Sequence, residues 1–175
     1  MKFNFNNLDE QTREFMISEI KSDIDNERLY LSKRFNEKGI ELYPNLLIDA
    51  VSSGDEETLA IALNDNDCFL DKEPRNGKNG ITYAKVPVTA SITLAESEFN
   101  RFYIRGLALK SQENKQRLRV YRARFSDNPR AESEMIIGNE VDADILLNDL
   151  RSNIGVDTAL GLPSGPNSGL SVELV

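Results

Sequence analysis

The sequence predicts an α+β fold: an N-terminal helical part, then a small, mostly antiparallel sheet with packed helices, and an extended C-terminal arm. Two changes of pattern predict this order. Apolar residues recur with a period of about 3.6 over residues 1–64, which is typical of helices. From Ile81 onward β-branched residues are frequent and alternate roughly with polar ones, which is typical of strands.

Composition marks the boundaries between these parts. Residues 65–80 are polar and hold Pro74, Gly77 and Gly80, so they read as a loop or hinge. Residues 155–175 hold 4 of the 10 glycines and only two charged side chains. The four predicted parts are therefore a helical N-terminal part, 1–64; a polar hinge, 65–80; an α+β part, 81–154; and an extended arm, 155–175.

Capping signals predict three helices in the N-terminal part. The segment NLDE at 7–10 has the Asn-x-x-Glu spacing of a helix start. The helix it opens ends either at Gly39 or at a break near 25–27. Pro44 suits the first turn of a second helix, and Asp55 suits the cap of a third.

The predicted sheet and its helices follow from residue 81. ITYAKVPVTASITL at 81–94 reads as an edge strand because it contains a proline. TLAE at 93–96 is a capping box that opens a helix ending near Gln112. Residues 116–125 and 134–140, QRLRVYRARF and EMIIGNE, read as strands.

Asp142 can cap a last helix, whose apolar face carries Ala143, Leu146, Leu147 and Leu150. In the arm, Leu170, Val172 and Leu174 alternate. This is the pattern of a strand that pairs with a sheet edge, either its own or that of a neighbouring subunit.

Composition argues against several functional classes. The chain has no histidine and one cysteine, Cys68, so it lacks the commonest metal ligands and the commonest general base. We therefore expect no cofactor and no metal, and we expect Cys68 to be a small buried hydrophobe. No apolar run has the length of a membrane span and the N-terminus lacks a signal-peptide layout, so we expect no membrane partner and a cytoplasmic location in the producing cell, or a place in a particle assembled there.

Charge divides the chain into three blocks. Residues 1–99 carry a balance of −8, residues 100–130 carry +7, and residues 131–175 carry −7. The predicted interaction residues of the basic middle block are Arg101, Arg105, Arg117, Arg119, Arg122 and Arg124. They suit either fixed pairs with protein carboxylates or contacts with nucleic-acid phosphates, and the acidic blocks on both sides favour carboxylates.

The helix that carries the first two arginines also carries Phe99, Phe102, Tyr103 and Gly106 on one stripe. Aromatic residues at this spacing are typical of a core. A glycine inside a helix costs about 1 kcal/mol relative to alanine, so Gly106 predicts the close approach of another backbone.

EFNRFYIRGL at 98–107 and GVDTALGLPSGPNSGLSVEL at 155–174 resemble segments of small uncharacterised proteins that bacteriophages and prophages encode. The resemblance covers the C-terminal half of the chain, from Thr93. It brings no catalytic motif and assigns no functional residue. It implies a phage context, in which virion components and small inhibitors of host defence are common.

These observations predict a non-enzymatic structural or protein-interaction component, of a phage virion or its assembly. The expected partners are other copies of the chain or neighbouring virion subunits, contacted through the basic block and the arm. Two alternatives stay open, a module that contacts nucleic acid through the arginines and a small phage-encoded inhibitor. A carboxylate–metal enzyme is a third.

Overall fold

A computed structural model describes residues 2–78, 80–156, 160 and 168–175, and it confirms an α+β fold that begins with helices. The helices are α1 Glu10–Asp25, α2 Glu37–Ser53, α3 Glu56–Asp65, α4 Ala90–Asn114, α5 Ala131–Ile136 and α6 Ala143–Ser152. The strands are β1 Lys72–Gly77, β2 Gly80–Lys85, β3 Leu118–Arg122, β4 Glu140–Val141 and β5 Leu170–Leu174.

Helix α4 is the centre of the molecule. Helices α1, α3 and α6 and strand β5 all pack against it. Phe99, Phe102 and Tyr103 are buried, as the aromatic spacing predicted. The helical N-terminal part and the later α+β part share one hydrophobic core, which extends from Met16 in α1 to Val172 in β5.

The close backbone approach predicted at Gly106 is confirmed. A Cβ atom at this position would lie 2.8 Å from Met16 Cγ, 3.0 Å from the carbonyl oxygen of Thr12 and 3.1 Å from the amide nitrogen of Met16. Helix α1 therefore crosses α4 at its glycine, and the small residue sets the distance between the two backbones.

Replacing Gly106 with alanine is expected to lower the free energy of unfolding by about 1 kcal/mol, because crowding against α1 outweighs the gain in helix propensity. The matched control is Thr93→Ala at an exposed position of α4, where no crowding opposes the gain. Urea denaturation measures both. A Gly106→Ala protein that matches or exceeds the wild type in stability would show that α1 can move away freely.

The start of α1 differs from the prediction. Asp9, not Asn7, caps the helix, and its side chain accepts a hydrogen bond of 3.0 Å from the amide of Thr12. The side chain of Asn7 instead accepts one from the amide of Leu174, 3.0 Å away in the last strand. The helix ends at Asp25, which confirms the second of the two predicted ends.

The prediction that Gly39 ends a helix is wrong. Asn36 caps α2 by accepting a hydrogen bond of 2.8 Å from the amide of Gly39, and Pro44 lies inside that helix rather than at its start. A Cβ atom at Gly39 would lie 2.1 Å from the carbonyl oxygen of Cys68. Gly39 is therefore required by close packing, and Cys68 is buried as expected.

Part of the predicted hinge is a strand. β1 pairs antiparallel with β2 in a two-stranded sheet, in which Pro74 lies opposite Tyr83. The segment 81–94 is a strand only as far as Lys85. Helix α4 then begins at Ala90, so the predicted capping box lies inside the helix.

The second sheet has the order β4-β3-β5, and both pairs are antiparallel. EMIIGNE is not a strand, since most of it lies in α5 or the turn that follows, and only its last residue belongs to β4. Asp142 caps α6 as predicted, accepting a hydrogen bond of 2.9 Å from the amide of Ile145. The buried residues of α6 are Leu146, Leu147 and Leu150.

The arm ends in β5, which pairs with β3 of its own sheet, with Val172 opposite Val120. The sequence allowed β5 to pair either with its own sheet or with that of a neighbouring subunit, and in the structure it pairs with its own. The glycine- and proline-containing segment at 161–167 lies outside the described residues.

Candidate protein-interaction surface

The two arginines of α4 lie in the protein interior. Arg105 is 1% exposed, and its guanidinium donates to Glu19 Oε2 at 2.8 Å and to the two carboxylate oxygens of Asp23 at 2.5 and 2.9 Å. Both carboxylates belong to α1, so this contact joins the two helices next to the Gly106 crossing. Such two-point contacts use the planar shape of the guanidinium, which lysine cannot provide.

Glu19 is shared by two arginines. Arg151 of α6 donates to both of its carboxylate oxygens, at 2.5 and 2.9 Å. Burial disfavours the charged form of Glu19, but hydrogen bonds and charges from Arg151 and Arg105 outweigh burial and hold the pKa of this carboxyl below its ordinary value. The network therefore ties α1, α4 and α6 together.

Arg101 binds the end of α6 and the residues after it. It donates to the carbonyl oxygens of Asn153 and Val156 at 3.0 and 2.7 Å, and its Nε lies 3.3 Å from Glu98 Oε1. Burial raises the pKa of Glu98 in spite of the nearby Arg101. Arg101 and Arg105 are thus buried, and they cannot belong to an exposed basic patch on the folded chain.

The four arginines of the β3 region also contact carboxylates of the same chain. The four pairs are Arg117–Glu140, Arg119–Glu173, Arg122–Glu134 and Arg124–Glu96. The first two lie on one face of the strand and the last two on the other. The expectation that these arginines pair with protein carboxylates is confirmed within the chain, while a contact with a second subunit stays a prediction.

The predicted interaction residues of the arm face the core. Leu170 and Val172 are buried, and Leu174 is half-buried against the same cluster. They hold β5 on the molecule, so a partner would meet them only if the strand left its own sheet.

Strands β1 and β2 form a hairpin, which we call the projecting hairpin. It carries an exposed surface that the sequence did not indicate. Ile81 and Tyr83 lie on one face of it and are 67% and 72% exposed. They are two residues apart in β2, which is the signal that placed them on a common face. The alternation alone does not say whether that face is buried, and in the structure it is exposed.

Two lysines lie at one end of this apolar face, at the base of the hairpin. Lys72 and Lys85 lie directly opposite each other in the hairpin, where like charges destabilise a strand pair. Both are exposed, and no carboxylate among the described residues forms an ion pair with either. Glu73, the one acidic residue of the hairpin, points to the other face and binds Arg34 and Arg75.

A groove lies beside the base of the hairpin, between α3 and the start of α4, and has a volume of about 400 Å³. We call it the acidic groove. Its exposed apolar residues are Ile61, Val88 and Ile92, and its exposed carboxylates are Glu57 and Asp65. The groove thus combines exposed apolar side chains with two exposed carboxylates of α3. Lys2 also lines it, and this lysine pairs with Asp55 and lies 3.9 Å from Glu57.

A buried carboxylate also lines the acidic groove. Glu56 is 3% exposed, and its Oε1 accepts a hydrogen bond of 2.7 Å from the amide of Phe3. Its Oε2 has no hydrogen-bond partner among the described residues, and burial raises the pKa of this carboxyl.

Among the described residues, no three acidic, cysteine or histidine side chains lie close enough together to hold a metal ion. None of the described helices is both long enough and apolar enough to cross a membrane. Comparisons with protein-family models, with curated proteins and with solved structures find no match to this chain.

Proposed function

We propose that this protein is a non-enzymatic structural component that associates with copies of itself through the projecting hairpin. The resemblance of its C-terminal half to phage-encoded proteins supports a virion or its assembly as the setting. The observation that carries the proposal is the face of the hairpin, where Ile81 and Tyr83 are exposed and two lysines, unpaired among the described residues, lie at the base of the same face.

Physical chemistry supports a protein partner for this face. A two-stranded hairpin is only marginally stable in water without further packing. Here most hairpin residues are exposed, and the strands make their main contacts with each other. A partner that covers Ile81 and Tyr83 would remove their apolar area from water and hold the hairpin in one position.

The positions of the other predicted interaction residues, which are the six arginines and the apolar residues of the arm, also favour the hairpin as the contact surface. The arginines are engaged with carboxylates of the chain, and the apolar residues of β5 face the core. Using the buried arginines or the apolar residues of β5 for subunit contacts would require breaking contacts that hold the fold. The more exposed arginines, Arg117 and Arg119, would first have to leave their carboxylates. The hairpin can be covered without such a cost.

Replacing both Ile81 and Tyr83 with serine is expected to abolish self-association and leave the fold intact, since both side chains are exposed. The matched control replaces Ile145 and Phe125 with serine, which are 72% and 63% exposed and lie away from the hairpin. Light scattering over a range of protein concentrations, with circular dichroism for the fold, measures the outcome. A wild type that remains monomeric at every concentration would refute the proposal.

Contact with nucleic acid is a second candidate. Lys72 and Lys85 could bind neighbouring phosphates, and the exposed ring of Tyr83 could stack on a base. The acidic groove beside the hairpin argues against it, because its carboxylates would repel the strand. Binding to a fluorescent single-stranded oligonucleotide that weakens steeply with salt would favour this candidate.

A further inference from the structure

We propose that the partner surface for the hairpin is the acidic groove of a second copy, and that two copies exchange hairpins around a twofold axis. This inference rests on the proposed self-association and names the surfaces that form it. Each subunit would place its hairpin face against the groove of the other, so the dimer would contain the same contact twice.

The two surfaces are complementary in chemistry. The hairpin presents Ile81 and Tyr83 with Lys72 and Lys85 at the base of the same face, and the groove presents apolar residues beside Glu57 and Asp65. Apolar surface would cover apolar surface, and the lysines would lie near carboxylates.

The hairpin also carries an electrostatic cost that this contact would remove. Lys72 and Lys85 face each other across β1 and β2 with no carboxylate pairing either of them among the described residues. In the groove, Glu57 and Asp65 are exposed carboxylates. A lysine ammonium group from the second copy would pair with one of them and would itself be neutralised.

The position of the groove explains why a closed dimer should form. Val88, which lines the groove, follows Lys85 at the end of the hairpin by only three residues. Each subunit therefore carries its two surfaces side by side. When one hairpin reaches the other subunit's groove, a twofold rotation brings the second hairpin to the first groove, and no surface is left to extend a chain.

The test exchanges the charges of the two surfaces. A hairpin-reversed variant carries Lys72→Glu and Lys85→Glu, and a groove-reversed variant carries Glu57→Lys and Asp65→Lys. Each alone would place like charges across the contact, and we expect the dimer dissociation constant to rise by about a hundredfold. An equimolar mixture restores opposite charges at both contacts, so we expect a heterodimer of near wild-type affinity.

Matched controls make the same changes of charge elsewhere. Lys21→Glu with Lys33→Glu, and Glu14→Lys with Glu41→Lys, alter exposed residues for which the described structure shows no ion pair. We expect both control proteins to dimerise as the wild type does. Analytical ultracentrifugation measures the dissociation constants, and thermal unfolding shows that each variant is folded.

The outcomes separate the inference from the proposed function. If the groove-reversed variant dimerises normally while the serine substitutions at Ile81 and Tyr83 abolish dimers, self-association stands and the groove is not its partner. If the mixture fails to form heterodimers, the inference is wrong. If the wild type is monomeric and binds the oligonucleotide through Lys72 and Lys85, both proposals fall and the nucleic-acid candidate replaces them.

Discussion

Replacing Arg105 with methionine is expected to lower the free energy of unfolding by about 3–5 kcal/mol. Methionine fills much of the same volume but leaves Asp23 without its guanidinium partner and Glu19 with only Arg151. Buried carboxylates without paired charge are costly because the interior solvates them poorly. Urea denaturation at neutral pH measures the loss.

The control is Arg117→Met on the exposed pair with Glu140, where the arginine side chain is 70% exposed. Exposed pairs contribute about 0–1 kcal/mol, so this variant should be nearly as stable as the wild type. Combining Arg105→Met with Asp23→Asn should recover part of the loss, since it removes the unpaired charge. A stable Arg105→Met protein would contradict the structural role of the network.

The same network has a predicted pH dependence. The pKa of Glu19 is lower in the folded protein than in the unfolded chain, so its contribution is present above about pH 4.3 and is lost as the pH falls through the folded pKa. Removing Arg105 brings the two pKa values closer together. We therefore expect the acid loss of stability to be shallower in Arg105→Met than in the wild type.

Features that depend on neighbouring residues were predictable from the sequence. Asp55 and Asp142 cap their helices because the cap needs only the next few residues. The core stripe of α4 follows from its helical period. Gly106 was also predictable, because a glycine in mid-helix is costly unless another backbone lies against it.

Features that depend on distant residues were not predictable in detail. The sequence indicated that the arginines would meet carboxylates, but Glu19 and Asp23 lie 86 and 82 positions from Arg105 along the chain. β1 has weak strand propensity and exists because β2 pairs with it. EMIIGNE contains a run of only three apolar residues, and such short runs do not distinguish helix from strand.

The exposed face of the projecting hairpin could not be predicted from the sequence for a different reason. Alternation in ITYAK places Ile81 and Tyr83 on one face but does not say whether that face is buried. The tertiary structure decides this, because the two strands make their main contacts with each other and leave most of their residues exposed. The concentration of arginine at 101–124 pointed to a binding surface, whereas most of that positive charge is used inside the fold.

Replacing Val172 with aspartate is expected to unfold the protein or to lower its free energy of unfolding by more than about 4 kcal/mol. Val172 is 0% exposed and lies opposite Val120 in the centre of the β3–β5 pair. An unpaired charge there would have to be buried, or β5 would have to leave the sheet. The loss is comparable with the whole stability of a typical domain, about 5–15 kcal/mol.

The control is Val175→Asp, at the residue directly after the last residue of β5, where the side chain is 38% exposed. It should unfold close to the wild-type temperature. Val172→Ala should fold and lose about 2–3 kcal/mol, which keeps the measurement possible if the aspartate variant does not fold.

An arm that instead crossed to a second subunit would respond differently. Val172→Asp would then give a stable monomer whose thermal unfolding no longer depends on protein concentration, and that result would move β5 from the chain's own sheet to an interface.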